Sequence, residues 1–210
     1  MSSSIGGTPR EELPMLVAPE LLDGRNLTVA DVANLPEDLH YELINGRLVL
    51  SPSATPFHQY ASAELLVALR RGCPRDLMVT FDQSVMVDGQ NEPRPDLVVI
   101  EKSGAGGSPV LAADVLLAVE VVSRESVTRD LRDKQKLYAY GGIPSYWLLD
   151  PLGVRVTFTQ FLLGDGGVYH RHLHADDVVT VDVPWEVTID LPALTRERDD
   201  LCRRAGRSAV

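Results

Sequence analysis

The sequence predicts a mixed α/β (α+β) fold in which helices flank one central mixed β-sheet. Two apolar runs rich in β-branched residues, 97–100 (LVVI) and 115–122 (VLLAVEVV, interrupted only by Glu120), are typical of buried strands. Two other segments, 58–71 and 128–140, are predicted to be helical and are followed by glycines. Because helices and strands are interspersed along the chain, we expect them to share one core.

The length and composition of the chain limit the kind of protein it can be. Its 210 residues, 44% of them apolar, suffice for one domain, and no apolar stretch approaches the roughly 20 residues that span a bilayer. We expect a flexible arm at 1–26, a single domain at 27–205 and a short tail at 206–210. The lack of a leader pattern and two cysteines without ligand spacing predict a cytoplasmic protein with free thiols.

The net charge of −10 argues against non-specific binding to a nucleic-acid duplex. Lys and Arg supply most of such binding, because they neutralise the phosphates. A local basic patch is still compatible with this total. The charge therefore lowers the expectation of a nucleic-acid substrate without excluding it.

The first third of the chain contains clear local signals. Thr28 and Asp31 predict the start of a short helix. Asn45-Gly46 predicts a tight hairpin, because both central residues of that turn need a positive φ. The helix at 58–71 carries apolar residues at helical spacing, namely Ala61, Leu65, Leu66 and Leu69.

The remaining elements are predicted from apolar runs separated by turns. Further strands are expected at 77–81, 84–87 and 146–149. Three segments are predicted to form a meander of exposed strands around glycine-rich turns: 154–162, 168–173 and 178–183. A last helix is predicted over about residues 195–204.

Three acidic residues stand where burial is expected. Asp96 heads the run LVVI, Glu120 interrupts VLLAVEVV, and Glu42 begins the first hairpin strand. Carboxylates are rarely buried unless they are paired or bind a metal. Two carboxylates at the ends of neighbouring strands suit Mg²⁺ or Mn²⁺, and such an ion can activate water and stabilise a phosphate in the transition state.

Each acid also has an arginine nearby in the sequence that would neutralise it without a metal. The alternative pairs are Arg94 with Asp96, Arg124 with Glu120, and Arg47 with Glu42. In that interpretation the three acids have a structural role only.

The order of these motifs resembles a known family. Pro95-Asp96 followed by Glu120-Val121-Val122 resembles the Pro-Asp … Glu-x-Lys signature of restriction-type nucleases, although Val122 replaces the lysine. Longer segments over about residues 28–195 resemble the Uma-type restriction endonuclease family: YELINGRL, SPSATPFHQ, PRPDLVVI, AVEVVSRES and TRDLRDKQKLYAYGGIPSYWLLDP. The resemblance implies a restriction-endonuclease-like core with extra antiparallel C-terminal strands.

The resemblance also implies roles for individual residues. Asp96, Glu120 and the backbone carbonyl of Val121 would hold the metal, and Lys134 would take the place of the missing lysine. Glu42 matches an acid that the superfamily often supplies to the metal. The implied reaction is Mg²⁺- or Mn²⁺-dependent hydrolysis of DNA that leaves a 5′-phosphate.

Helical spacing supports the placement of Lys134. Asp130, Lys134 and Tyr138 fall on one helical face. If that face looks back over the strand end, Lys134 could reach Glu120 and steady a phosphate oxygen or the attacking water. The alternative is a solvent-exposed Lys134 bonded to Asp130.

Three residues complete the predicted site. His58 matches a family histidine and would orient substrate or transfer protons near neutral pH. Gln59 and Arg124 are predicted to contact substrate. The resemblance breaks at 123–126 (SRES), where relatives tend to read Ser-Pro-Ser, so Arg124 would either bind a phosphate or pair with Glu120 and block the metal.

Two other features are interpreted as structural. Trp147 is expected to pack in the core rather than to stack on bases. His170, His172 and His174 alternate along a predicted strand, which would place all three on one face, and we interpret them as surface residues.

Three functions remain open at this point. The first is a metal-dependent endonuclease acting on DNA, and the second is a catalytically silent binding or regulatory module of the same fold. The third is a small-molecule metallohydrolase or a structural oligomer. We expect a homodimer, because cutting both strands needs two sites and C₂ dimers are the commonest assembly, and we expect no membrane partner.

Overall fold

The computed structural model describes residues 26–35, 39–50, 53–124 and 129–206, without the side chains of 129–131. The predicted arm up to residue 25 and the tail from residue 207 lie outside the described residues. The strands are β1 (Tyr41–Ile44), β2 (Arg47–Leu50), β3 (Leu77–Phe81), β4 (Val85–Met86), β5 (Leu97–Glu101), β6 (Val110–Leu111), β7 (Val115–Val121), β8 (Ser145–Asp150), β9 (Thr157–Leu163), β10 (Tyr169–Ala175), β11 (Val179–Val181) and β12 (Val187–Ile189). The helices are α1 (Val29–Val32), α2 (Pro56–Arg71), α3 (Gln135–Tyr140), which continues a π-helix at Arg129–Lys134, and α4 (Leu191–Arg204).

Six strands form the central sheet in the order β10-β9-β8-β7-β5-β3. Strands β7 and β8 are parallel, and the other neighbouring pairs are antiparallel, so the predicted mixed sheet is confirmed. A parallel pair needs a crossover connection, and the helical segment 129–140 provides it. This crossover returns the chain over one face of the sheet.

Both faces of the central strands are buried, which explains the continuous apolar runs of β5 and β7. One face packs against α2, α4 and the β11–β12 hairpin through a cluster that includes Leu65, Val99 and Leu194. The other face packs around Tyr138 of α3 and Tyr146 of β8. Trp147 is fully buried with the edge of its ring against Phe158, which confirms its predicted place in the core.

The local signals of the first third are confirmed. Asn45 and Gly46 both have a positive φ, 51° and 67°, and they close the β1–β2 hairpin. Thr28 and Asp31 form the predicted capping box at the start of α1. Each of these signals lies within four consecutive residues, so the sequence could specify it.

The C-terminal third differs from the prediction in three ways. Strands β9 and β10 form the predicted antiparallel meander and β10 is mostly exposed, but both belong to the central sheet, β9 has no exposed residue, and β11 lies in a separate two-stranded sheet. Strand β12 was not predicted, and it pairs with β11. Helix α4 begins at Leu191 rather than near residue 195, because Asp190 caps it by accepting a hydrogen bond from the N–H of Ala193.

The three histidines of β10 do not share a face, contrary to the prediction. A β-bulge at His172 leaves that residue unpaired and reverses the alternation of side chains. His170 and His174 therefore project from opposite faces of the strand. All three are exposed, in keeping with their interpretation as surface residues.

Among the described residues, no helix combines the length and the apolar character that a membrane crossing requires.

Candidate active site

The candidate site lies at the end of the sheet where β5 begins and β7 ends. Asp96 directly precedes β5, and Glu120 is the last residue but one of β7. The antiparallel register pairs Leu97 with Val119, so one further step along the ladder brings Asp96 opposite Glu120. Neighbouring strands are about 4.8 Å apart. The fold therefore brings the two predicted acids to adjacent positions.

Glu120 is buried and is held by two side chains of the helical crossover. The Nζ of Lys134 lies 2.9 Å from its Oε1, and the hydroxyl of Tyr138 donates to the same oxygen at 2.6 Å. Lys134 and Tyr138 are four residues apart, so both reach the end of β7 from one helix face. Lys134 is only 3% exposed, and the alternative of a solvent-exposed lysine is wrong. The side chain of Asp130 lies outside the described residues.

Glu42 reaches the same lysine from the N-terminal hairpin. Its Oε1 lies 2.6 Å from the Nζ of Lys134 and accepts a hydrogen bond of 2.9 Å from the backbone N–H of Arg94. The Glu42 side chain is 2% exposed, although β1 belongs to a hairpin outside the central sheet. The ammonium is thus shared between two carboxylates from distant parts of the chain. We call Glu42, Glu120, Lys134 and Tyr138 the buried cluster.

Tyr138 is a neutral hydrogen-bond donor in this cluster. Burial raises the pKa of its hydroxyl well above the usual value, and the negative charges of Glu120 and Glu42 raise that pKa further. The ring of Tyr138 packs against Tyr146, with 5.5 Å between the ring centroids. Tyr138 therefore keeps its proton and fixes the position of the Glu120 carboxylate.

Asp96 and His58 form a more open part of the site. The Oδ2 of Asp96 accepts a hydrogen bond of 2.6 Å from the backbone N–H of Val121 and lies 3.3 Å from the Nε2 of His58. The side chains of Asp96 and His58 are 22% and 17% exposed. His58 lies in the first turn of α2, whose N-cap Thr55 accepts a hydrogen bond from the His58 N–H. Because of this cap and Pro56, α2 begins two residues before the predicted residue 58.

Two of the alternative arginine pairs are wrong. The guanidinium of Arg94 contacts Asp82, through the carboxylate at 3.6 Å and the backbone carbonyl at 3.2 Å, and not Asp96. Arg47 is exposed, and the hairpin register does not place it opposite Glu42. The acids of the site are therefore not neutralised by these guanidinium groups.

Gln59 and Arg124 lie outside this network. Both are exposed, and among the described residues neither has an ion pair or a side-chain hydrogen bond with the buried cluster. The described ion pair of Glu120 is with Lys134 and not with Arg124. Geometry alone thus assigns no partner in the site to these two predicted substrate contacts.

The chemistry of the donor set fits a hard divalent cation. Glu42, Asp96 and Glu120 supply carboxylate oxygens, which Mg²⁺ and Mn²⁺ prefer. Among the described residues, no group of three or more His, Cys, Asp or Glu side chains is gathered closely enough to surround an ion. Mg²⁺ commonly uses one or two carboxylates and keeps several waters. An ion here would therefore depend on Asp96 and Glu120 together with backbone oxygen and water.

Sequence reasoning missed two contributions to the site. The bond from Tyr138 to Glu120 was not predicted, although the four-residue spacing from Lys134 was a usable signal. The backbone N–H groups of Arg94 and Val121, which donate to acids of the site, have no sequence signal. Every residue except proline carries such a group, so only the tertiary arrangement selects them.

Comparison with known proteins identifies a family and a fold for this chain. The Uma2 family model, described as "Putative restriction endonuclease", matches residues 29–192. A crystal structure described as "a putative nuclease belonging to DUF820", from Anabaena variabilis, is similar to this chain with a TM-score of 0.62 and 15% identity. That match covers 81% of this chain and 98% of the other, and at such an identity it shows the fold alone. A search of curated proteins found no significant match.

Proposed function

The chain belongs to the Uma2 family of nuclease-type proteins, and we propose that it is a Mg²⁺- or Mn²⁺-dependent endonuclease that hydrolyses phosphodiester bonds of DNA. One observation carries the proposal: Lys134 binds Glu42 and Glu120 in a buried cluster beside Asp96, at the end of the sheet. Apolar residues of similar volume often stabilise a fold as well as buried ions do. The buried charges therefore favour a functional explanation.

Asp96 and Glu120 would hold the ion, with the backbone carbonyl of Val121 as a third oxygen donor. The N–H of Val121 is directed at Asp96. The N–H and C=O of a strand residue point to the same side of the strand, so this carbonyl is directed toward the same region. When bound, the ion would lower the pKa of a water molecule and stabilise charge on the phosphate.

The protein side chains would position the phosphate and move protons. Lys134 would donate a hydrogen bond to a phosphate oxygen or to the attacking water, while Tyr138 keeps Glu120 in place. Glu42 would assist by orienting Lys134. His58, beside Asp96, would transfer protons on the open side of the site. Gln59 and Arg124 are proposed as substrate contacts, which their exposure permits.

Cleavage of supercoiled plasmid by the purified full chain tests this proposal. With Mn²⁺ we expect nicked and linear products from the wild-type protein and none from Asp96→Ala. The matched control is Asp176→Asn, because Asp176 pairs with Arg155 just beyond the opposite edge strand of the sheet. Failure to cleave double-stranded DNA, single-stranded DNA and RNA in the presence of metal would contradict the proposal.

Metal binding can be measured without catalysis. Calorimetric titration with Mn²⁺ should show binding to the wild-type protein and a much weaker response for Glu120→Gln. The glutamine keeps the size of the side chain and can still accept a hydrogen bond from Tyr138. Equal binding by both proteins would exclude Glu120 as a ligand.

A catalytically silent binding or regulatory module is the second candidate, and one observation favours it. The ammonium of Lys134 already lies between Glu42 and Glu120 and offsets one of their two negative charges without an ion. Such a protein would bind nucleic acid but would neither take up Mn²⁺ at Glu120 nor cleave. The titration therefore separates the two candidates before any substrate is known.

We also propose that the active form is a homodimer, because cleavage of both strands of a duplex needs two sites. Light scattering coupled to size-exclusion chromatography measures the mass directly. A monomer at the concentrations used for cleavage would overturn this proposal.

A further inference from the structure

The open side of the site carries an aromatic ring that the proposed chemistry does not use. Phe81 is the last residue of the edge strand β3, and it is 66% exposed. A phenylalanine exposed to this extent gives up most of the stabilisation that burial of its ring would bring. Its position near the site makes it a candidate for contact with substrate.

Phe81 lies close to Asp96 and on the same side of the sheet as His58. It pairs with Leu97 in the β3–β5 ladder, and the N–H of Asp82 donates to the backbone carbonyl of Asp96 at 3.1 Å. Residues opposite each other in a ladder project from the same face. Leu97 packs in the core layer of α2, whose first turn carries His58. The backbone of Phe81 is thus close to that of the proposed catalytic Asp96, and its ring projects from the face that carries α2.

The exposed fraction of the side chains is lowest in the buried cluster and highest at Phe81. The side chain of Lys134 is 4% exposed, those of Asp96 and Arg94 are 22% and 24%, and that of Asp82 is 44%. Phe81 is at the most open end of this series. We call Asp96, His58, Arg94, Asp82 and Phe81 the open rim.

Two basic side chains contact Asp82, the residue that follows Phe81. The guanidinium of Arg94 and the ring nitrogen Nδ1 of His40 are both 3.6 Å from the carboxylate of Asp82. The Nη1 of Arg94 also donates to the backbone carbonyl of Asp82, and its buried Nε has no hydrogen-bond partner among the described residues. Asp82 therefore orients a guanidinium at the rim, where a phosphate could accept from it.

We propose that Phe81 is a stacking platform for one base of a single-stranded nucleic acid, and that Arg94 binds the adjacent phosphate. This inference rests on the proposed nuclease function and specifies that one strand of the DNA is unstacked where it contacts the site. In a duplex the base faces are covered by their neighbours, whereas in a single strand they are free to stack on an aromatic ring. Stacking needs few cations, while duplex binding depends on phosphate neutralisation, which a chain with a net charge of −10 supplies poorly.

Fluorescence anisotropy with a short labelled DNA strand, alone and as a duplex, tests the inference in EDTA, where no metal-dependent cleavage occurs. We expect tighter binding of the single strand, a loss of about tenfold for Phe81→Ala on the single strand, and no change on the duplex. Phe81→Trp should retain single-strand binding, because it keeps the stacking surface. Tyr140→Ala, which removes a 75% exposed ring at the far end of α3, should bind as the wild type does.

A loss that is equal for single strand and duplex, or no loss at all, would overturn the inference. Photocrosslinking gives a second readout that does not depend on affinity. A single strand that contains 5-iodouracil should crosslink to Phe81 when peptides are mapped by mass spectrometry. Crosslinks confined to residues away from the open rim would equally overturn it.

The two proposals can fail separately. If Phe81→Ala cleaves plasmid DNA like the wild type and binding shows no preference for single strands, the stacking role is wrong and the nuclease function stands. If Phe81 crosslinks but no form of the protein cleaves with metal, the stacking role stands and the nuclease function is wrong.

Discussion

The buried cluster and the open rim lie side by side, yet they hold their charges in different ways. In the buried cluster, Lys134 and Tyr138 bond to carboxylates over 2.6–2.9 Å, with almost no access to solvent. In the open rim the contact of Asp96 with His58 and the ion pair of Arg94 with Asp82 span 3.3–3.6 Å, and the side chains are partly exposed. Charge interactions are stronger where water is excluded and weak where it is not. We infer that the contacts of the buried cluster stabilise the site, whereas the open rim is the part of the site that a substrate can contact.

Among substitutions in the two regions, Lys134→Met is expected to lower the free energy of unfolding most. The substitution keeps an apolar stem but leaves the carboxylates of Glu42 and Glu120 buried beside each other without the shared ammonium. Breaking a buried ion pair from one side typically destabilises a protein by about 3–5 kcal/mol. Urea unfolding followed by circular dichroism measures the change in the free energy of unfolding.

The control for this prediction is Lys136→Met, which replaces an exposed lysine on the same helical segment. A change within about 0.5 kcal/mol is expected there. If the two substitutions cost the same, the ammonium of Lys134 does not hold the cluster together.

Tyr138→Phe should have the next largest effect. It removes one hydrogen bond to the buried carboxylate of Glu120 and leaves the ring packed against Tyr146. Hydrogen bonds to charged groups contribute about 1.5–3 kcal/mol. Thermal unfolding of Tyr138→Phe, compared with the exposed control Tyr140→Phe, measures this contribution, and equal midpoints would contradict it.

Alkaline pH should weaken the folded protein through its buried tyrosines. Burial raises the pKa of Tyr138 and of Tyr169 in the folded state, whereas both titrate near 10 in the unfolded chain. Above that pH the unfolded chain loses protons that the folded state keeps. The contribution of these two hydroxyls to the free energy of unfolding is therefore fully present below about pH 10. Above that pH the free energy of unfolding falls by about 1.4 kcal/mol per pH unit for each tyrosine.

Urea unfolding at a series of pH values between neutral and strongly alkaline measures this slope. The double variant Tyr138→Phe/Tyr169→Phe should lose stability more gradually above pH 10, although it is less stable at neutral pH. A slope identical to that of the wild type would mean that these two hydroxyls do not control the alkaline transition.

The smallest effect on stability is expected from Asp96→Asn, although its functional effect should be complete. Asn can still accept the hydrogen bond from the N–H of Val121, and the side chain is partly exposed, so the cost should stay below about 1 kcal/mol. Mn²⁺ binding and cleavage should both be lost, because the ligand charge is gone. Calorimetry and urea unfolding on the same preparation test both statements, and a large loss of stability would show that rim and cluster form one unit.

Most elements of the fold could be predicted from local patterns. The strand at 77–81, the Asn45-Gly46 hairpin and the run of β7 each follow from short-range sequence signals. The strand at β9 was also predicted, but its burial was not, because that burial depends on its place between β8 and β10 in the sheet. The predicted common face of the three histidines of β10 was wrong, because one inserted residue forms a β-bulge. The sequence contains no residue type that signals this bulge.

The candidate site could be predicted where a charged residue lies within or next to an apolar run. Glu120 interrupts an apolar run, and Asp96 precedes one, so both could be singled out without coordinates. Glu42 and Lys134 could be named by resemblance, but nothing in their spacing says that they meet. The exposed ring of Phe81 could not be found, because its strand reads as an ordinary apolar segment.

The sequence by itself determined the sheet-and-helix pattern and the positions of the unusual acids, because periodicity and a charge inside an apolar run are written in consecutive residues. Only the tertiary structure decided that Lys134 lies between Glu42 and Glu120. The same holds for the hydrogen bond that the N–H of Val121 donates to Asp96, and for the exposure of Phe81 on an edge strand. These contacts join segments that are far apart in the chain. They depend on how the layers pack, and the burial of a side chain is a property of that packing rather than of the residue.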